Sequence, residues 1–194
     1  FYINSQSDAA NVMISSNRFF SNTATWRGGG AYLKHNQYSA DSPKSTWGNN
    51  VFLDNEVTTG SVGSAIHFYN NHDYPFETHL LHSTLANNRG ASGVCVEAGT
   101  VLFTNTIVCG HNEGIENLGG TVPMAQTLWQ GNGMDYEAGT VDAIGDMSGT
   151  VAFDADGYHL TASSDALNRG VDTGLAMDLD GQPRAMGDSP DLGV

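Results

Sequence analysis

Asn17-Arg18-Phe19-Phe20-Ser21-Asn22 recurs as Asn50-Val51-Phe52-Leu53-Asp54-Asn55 and again as Ser83-Thr84-Leu85-Ala86-Asn87-Asn88, each start 33 residues after the last. A fourth, degraded copy, Asn105-Thr106-Ile107-Val108-Cys109-Gly110, follows after 22 residues. Each copy leads into a glycine-bearing segment that restarts a short apolar run. A fixed period of this kind marks a solenoid, in which one rung cannot bury its own apolar side and must stack on the next. The unit is too short and too rich in Gly, Asn, Ser and Thr for a pair of helices, so the rungs are strands. A turn of 22 residues holds two or three strands joined by tight bends, the unit of a parallel β-helix. The fold class is therefore all-β.

Asparagine at the block ends suits such bends, because its amide tolerates left-handed backbone and bonds to the rung above or below. The alignment places Phe19, Phe52, Leu85 and Ile107 in one vertical stack. It places Asn17, Asn50 and Asn105 at one bend, with Ser83 in the same slot. A spacing of about 4.8 Å between rungs gives roughly seven or eight rungs in a rod about 35 Å long.

The second strand of each rung follows its block, at Gly28-Gly29-Gly30-Ala31-Tyr32-Leu33, Gly63-Ser64-Ala65-Ile66-His67-Phe68, Ser92-Gly93-Val94-Cys95-Val96 and Gly114-Ile115-Glu116-Asn117-Leu118. Over residues 12 to 118 this Asn-x-apolar-x-x-Asn block with its Gly-Gly-Ala-apolar sequel resembles the repeats of polymorphic outer-membrane proteins. It also resembles related right-handed parallel β-helices of the pectin-lyase-like superfamily. Further on, Gly157-Tyr158-His159-Leu160-Thr161-Ala162 through Arg169-Gly170, then Asp178-Leu179-Asp180-Gly181-Gln182-Pro183-Arg184 and Ser189-Pro190-Asp191-Leu192-Gly193, is similar to the C-terminal cap of choice-of-anchor surface proteins. Ser164-Asp165-Ala166-Leu167-Asn168 departs mildly from the family's usual Ser-Pro-Ala-Ile-Asp. The resemblance implies an exported product, secreted or displayed at the cell surface, and no one activity. Residues 1–150 read as β-helix rungs with insertions near 34–45 and 69–78, and 151–194 as a C-terminal rung and cap of the same domain.

Composition is consistent with that reading. A net charge of −14 with only seven Lys and Arg excludes nucleic acid and anionic membrane surfaces as partners, since nothing neutralises a row of phosphates. No apolar run is long enough to span a bilayer and no signal peptide is present, so membrane insertion is not expected. The start at Phe1 and the stop inside the cap motif read as a processed or truncated part of a longer precursor. Cys95 and Cys109 fall at different places in their rungs, which predicts two buried free thiols rather than a disulfide.

The two insertions stack on the same side of the solenoid, as binding faces of repeat proteins do. Their aromatic residues Tyr38, Tyr69, Tyr74 and Phe76, with Trp47 just after the first, are candidates for stacking on sugar rings, or for packing against the wall. The acidic residues Asp178, Asp180, Asp188 and Asp191 lie beside glycine as calcium ligands do, though without the donor spacing of a helix-loop-helix calcium loop. The alternative is that Asp178 and Asp180 cap turns and pair with Arg184 or Arg169. Of His67, His72, His79 and His82, the pair three apart would fall on opposite strand faces, so no metal site is expected among them. The acids Asp54, Glu56, Glu97, Glu113 and Glu116 do not recur in register, and Gly110-His111-Asn112 lacks the paired aspartates of a polygalacturonase. Arg89 alone is a poor candidate base.

These features predict a non-enzymatic, structural or adhesive surface solenoid that assembles with copies of itself. The second reading is a carbohydrate-binding or carbohydrate-cleaving surface protein. Calcium is the only cofactor the sequence suggests.

Overall fold

A computed structural model describes residues 1–5, 12–35, 44–59, 62–70, 76–137, 140–184 and 187–194. Among them there are strands and no helices. A six-stranded sheet runs in the order Tyr2–Ser5, Ala31–His35, Ile66–Asn70, Ser92–Val96, Glu113–Asn117, Met134–Tyr136, one strand per level and each pair parallel. A ten-stranded sheet faces it, again with every ladder parallel. The arrangement is that of a coil of stacked parallel strands, consistent with a β-solenoid. Among the described residues it has six levels, against the seven or eight expected, and the last strand is Met147–Ser148.

Single left-handed residues make the corners. Ser16, Asn49, His82, Asn105 and Gln126 form one such column, with φ between 43° and 57°. Ser21, Asp54, Asn87, Gly110 and Gly131 form the next, five residues further along each rung. Asn, Asp and Gly carry this conformation at the lowest steric cost, which is why they punctuate the repeat.

Between the two corners the middle residue points into the coil. Phe19 pairs with Phe52, Phe52 with Leu85, Leu85 with Val108 and Val108 with Trp129. The Phe19 and Phe52 rings are stacked at 4.5 Å. The expected fourth member, Ile107, is not in this stack: it pairs with Thr84 and faces outward. Asn105 sits at the corner, not in the slot after it, and a slip of one residue on a strand reverses the face of every side chain. For the same reason the Asn17, Asn50, Ser83 slot continues as Thr106, and Asn105 instead bonds to the backbone of Val171.

The stronger ladder lies at the far end of the block. Asn22, Asn55, Asn88, His111 and Asn132 follow one another through the rungs. Asn55 Oδ1 accepts from the Asn22 amide at 3.1 Å, and Asn88 Oδ1 from the Asn55 amide at 2.9 Å. Asn55 and Asn88 also donate to the Phe19 and Phe52 carbonyls at 2.8 and 2.9 Å. These buried amides satisfy backbone groups that no strand partner reaches. His111 is thus a structural substitute for Asn in this ladder.

After residue 150 the chain adds no rung among the described residues. It lies as a strap across the outside of the block strands, where Val151, Tyr158, Ala166, Leu179 and Leu192 pack on Val51, Leu53, Ala86, Ile107 and Leu128. Arg18 joins the strap through Asp180 at 2.6 Å and the Tyr158 hydroxyl at 3.1 Å.

Candidate functional site

Alternation along the six-stranded sheet sends Ala31, Leu33, Ile66, Phe68, Val94, Val96 and Ile115 into the core and the residues between them to the opposite face. On that outer face the register lines up Tyr2, Tyr32, His67, Cys95 and Glu116 in one column. Lys34 and Tyr69 stand in the next, and Glu97 follows Val96 in the same direction. Inward positions repeat; outward positions, after the two tyrosines of the first levels, change chemistry from rung to rung.

A short strand at Thr23–Ala24 pairs with Glu56–Val57, and Thr25, Trp26 and Arg27 then pass beside this face before the chain turns at Gly28. Gly28 has φ 62°, and a Cβ there would lie 2.5 Å from the Ala31 carbonyl oxygen. Only glycine makes so sharp a return into the strand at Ala31. Trp26 and Arg27 are thereby held against the sheet. The Trp26 side of this passage is 68% exposed. The Arg27 guanidinium lies 5.3 Å from the Trp26 ring and 5.9 Å from the Tyr69 ring, and Nη1 is 2.7 Å from Glu97 Oε1. Lys34 Nζ is 5.7 Å from the Tyr69 ring, and Tyr32 stacks on Tyr2 at 5.4 Å. Trp26, Arg27, Tyr32, Lys34 and Tyr69 line an open groove of about 600 Å³. Two of the chain's seven cationic side chains therefore meet three aromatic rings on one face of a strongly acidic molecule.

Below the groove the side chains are closed off. His67 is fully buried, with Nε2 3.2 Å from Glu97 Oε1, and Tyr32 meets its ring edge-on at 5.2 Å. Burial, with help from Arg27, pushes the His67 pKa down to about 4. Burial raises the Cys95 thiol well above its ordinary value, and the charges of Glu116 and Glu97 add to it. The Tyr32 hydroxyl is raised for the same first reason. The donor atoms of His67, Cys95 and Glu97 all lie within 4.8 Å of one another, the only such trio of His, Cys, Asp or Glu among the described residues.

A second cavity, of about 320 Å³, opens at the last levels between Trp129, Tyr136, Asp135 and Asp146. Burial raises the Asp146 carboxyl, whose Oδ2 accepts from the Tyr136 hydroxyl at 3.3 Å. This cavity is anionic where the first groove is cationic.

Of the aromatic candidates, Tyr69 lies in the groove. Trp47 and Phe76 are buried at 0% and 1% exposure and are closed to a ligand, because Trp47 fills the column between Ile14 and Leu80 and Phe76 stacks on His35 at 4.2 Å. Tyr38 and Tyr74 fall outside the described residues. The four aspartates are dispersed in the strap. Asp178 Oδ1 accepts from the amides of Asp180 and Gln182, Asp180 pairs with Arg18 and His159, Asp191 accepts from the Asn168 amide, and Asp188 is exposed. Asp178 does cap a turn as the alternative held, but the partner of Asp180 is Arg18, and Arg184 donates to Asn49. Cys95 and Cys109 are buried free thiols on different faces, one outward on the six-stranded sheet and one under the strap.

Trp26, Arg27 and Lys34 were not singled out by sequence. The signal available was the Trp-Arg pair directly before Gly28-Gly29-Gly30, a place where the next rung has Gly60 to Val62 instead. Comparison with known proteins finds no family model, no curated protein and no solved structure that matches this chain.

Proposed function

We propose that the chain is a right-handed parallel β-helix of the pectin-lyase-like kind, exported to the cell surface, whose adhesive work is to bind an acidic polysaccharide in the groove of Trp26, Arg27, Tyr32, Lys34 and Tyr69. The observation that carries this reading is the exposed Trp26 ring beside two cations on a chain of net charge −14. An indole face offers a sugar ring an apolar platform, and Arg and Lys offer a uronate carboxylate charge-assisted hydrogen bonds. The surrounding negative charge repels polyanions in general, the uronate included, so its attraction is confined to the groove. The reading is one of binding and includes no cleavage step. Calorimetric titration with oligogalacturonate and with neutral dextran fragments tests it. Binding of the uronate alone, weakened by salt and lost in Arg27→Ala, is the expected result; equal binding of both or of neither overturns it.

Self-assembly is a second reading, favoured by large apolar side chains exposed on strands of the ten-stranded sheet, Met13 at 69% and Ile144 at 68%, which a second copy of the chain would cover. Light scattering with and without millimolar calcium tests it, and a strictly monomeric particle at high concentration in both conditions refutes it.

A further inference from the structure

We propose that His67, Cys95 and Glu97 form a binding site for a zinc ion on the outer face of the six-stranded sheet. The three donors are a nitrogen, a sulfur and an oxygen, the set that zinc takes in tetrahedral sites, and from mutual distances of no more than 4.8 Å small side-chain movements bring them to the ~3.5 Å that separates ligands of one such ion. His67 supplies the independent sign that something is missing. Its side chain is fully buried, and neither Nδ1 nor Nε2 makes a hydrogen bond of good geometry: its polar neighbours are Glu97 Oε1, 3.2 Å from Nε2, and the Val62 backbone. A buried imidazole held only by such imperfect contacts is costly, and a metal on one nitrogen relieves that cost. Glu116 Oε2 is also buried without a partner, on the residue paired with Cys95 across the sheet. It adds negative charge beside Cys95, outside the trio of donors.

The backbone already fixes the ligands. His67 and Cys95 are register partners on adjacent parallel strands, and Glu97 lies two residues beyond Cys95, so it projects to the same face. Arg27 holds the Glu97 carboxylate at 2.7 Å, as an outer partner orients a metal ligand. On binding, the Cys95 thiol gives its proton to solvent as the sulfur–zinc bond forms, and the charge that burial disfavours is then carried by the ion. Three protein ligands leave the fourth position for a water. The site does not depend on the saccharide reading, and zinc binding and uronate binding are measured separately.

Titration of the chain with zinc alone by calorimetry, and with cobalt(II) alone by absorption, tests the proposal. The expected result is a single ion per chain, with a thiolate-to-cobalt charge-transfer band and the visible bands of a tetrahedral site. Cys95→Ser removes the charge-transfer band, and Glu97→Gln lowers zinc affinity by at least about tenfold. Cys109→Ser, under the strap, leaves both signals unchanged. If Cys95→Ser fails to fold, the cobalt spectrum of Cys109→Ser replaces it, since Cys95 is then the one thiol left to give a thiolate band. A cobalt complex without a thiolate band, or undiminished zinc binding in Glu97→Gln, overturns the proposal.

Discussion

The two faces of the same strands follow opposite rules. Inside the coil the six-stranded sheet presents Leu33, Phe68 and Val96 in one column and Ala31, Ile66, Val94 and Ile115 in another, all apolar and all fully or almost fully buried. Outside, one residue along, the sheet presents Tyr2 and Tyr32, then His67, Cys95 and Glu116, a chemistry that changes from the second level onward. Repetition is what stacking requires, since each rung must offer the next the same shape. A column that breaks the repeat has no such duty, and it is there that aromatic, cationic and metal-ligating groups gather. Stability belongs to the inner columns and recognition to the outer one.

The largest test of that division removes an inner ring. Phe52→Ala takes a fully buried side chain from between Phe19 and Leu85, and is expected to cost about 3–5 kcal/mol in urea unfolding. Uronate affinity of the folded fraction should not change. A loss of affinity at unchanged stability would reverse the assignment of the two faces.

Next in size is the ladder of amides. Asn88→Ala withdraws the acceptor of the Asn55 amide and the donor to the Phe52 carbonyl, leaving both buried groups without that partner. An unsatisfied buried group costs about 1–3 kcal/mol, and the unfolding midpoint should fall accordingly. A neutral result would show that water takes the place of the side chain.

Acid should act through the buried histidines. Burial holds His35, His67 and His111 at about 4 and His82 at about 3, against an ordinary value of 6.5. The sign follows from proton counts. Between pH 6.5 and about 4 the unfolded chain binds protons that the folded chain refuses, so the stability present above 6.5 declines as pH falls through this window. Each such histidine contributes a slope of up to about 1.4 kcal/mol per pH unit. His111→Asn restores the residue that Asn55, Asn88 and Asn132 supply at the neighbouring levels. That variant should unfold less steeply with acid, and an unchanged acid limb would mean that His111 does not titrate on unfolding.

The smallest effect on stability is expected at the outer face. Trp26→Ala removes an exposed ring and should shift unfolding by no more than about 0.5 kcal/mol. Its effect on uronate affinity should be about tenfold, the worth of one sugar-stacking ring. A large loss of stability would instead make Trp26 a structural residue.

How much of this was legible in the sequence follows from the same contrast. The stack of Phe19, Phe52 and Leu85 was readable because its period is a constant 33 residues. The fourth level was misread because Asn105 matches the letter that opens the block while occupying the corner before it, as its φ of 55° shows. The fifth, Thr127-Leu128-Trp129-Gln130-Gly131-Asn132, escaped notice because Trp129 and Gly131 replace the familiar letters. The candidate site was mostly hidden. His67, Cys95 and Glu97 are neighbours only through strand register, and Trp26 and Arg27 reach the face by a turn at Gly28. Attention to histidine spacing within one strand could not find a cluster built across two. The insertions drew attention by their length, yet Trp47 and Phe76 beside them are core residues.

The central claim is that the outer face at Trp26 is where the ligand sits. The chain has three tryptophans, and Trp47 and Trp129 are buried while Trp26 is exposed. Acrylamide quenching of tryptophan fluorescence therefore reports chiefly on Trp26. Oligogalacturonate should protect this accessible component from quenching, and Trp26→Phe should abolish it both with and without the sugar. Uronate binding that leaves the quenching of Trp26 unchanged would contradict the account.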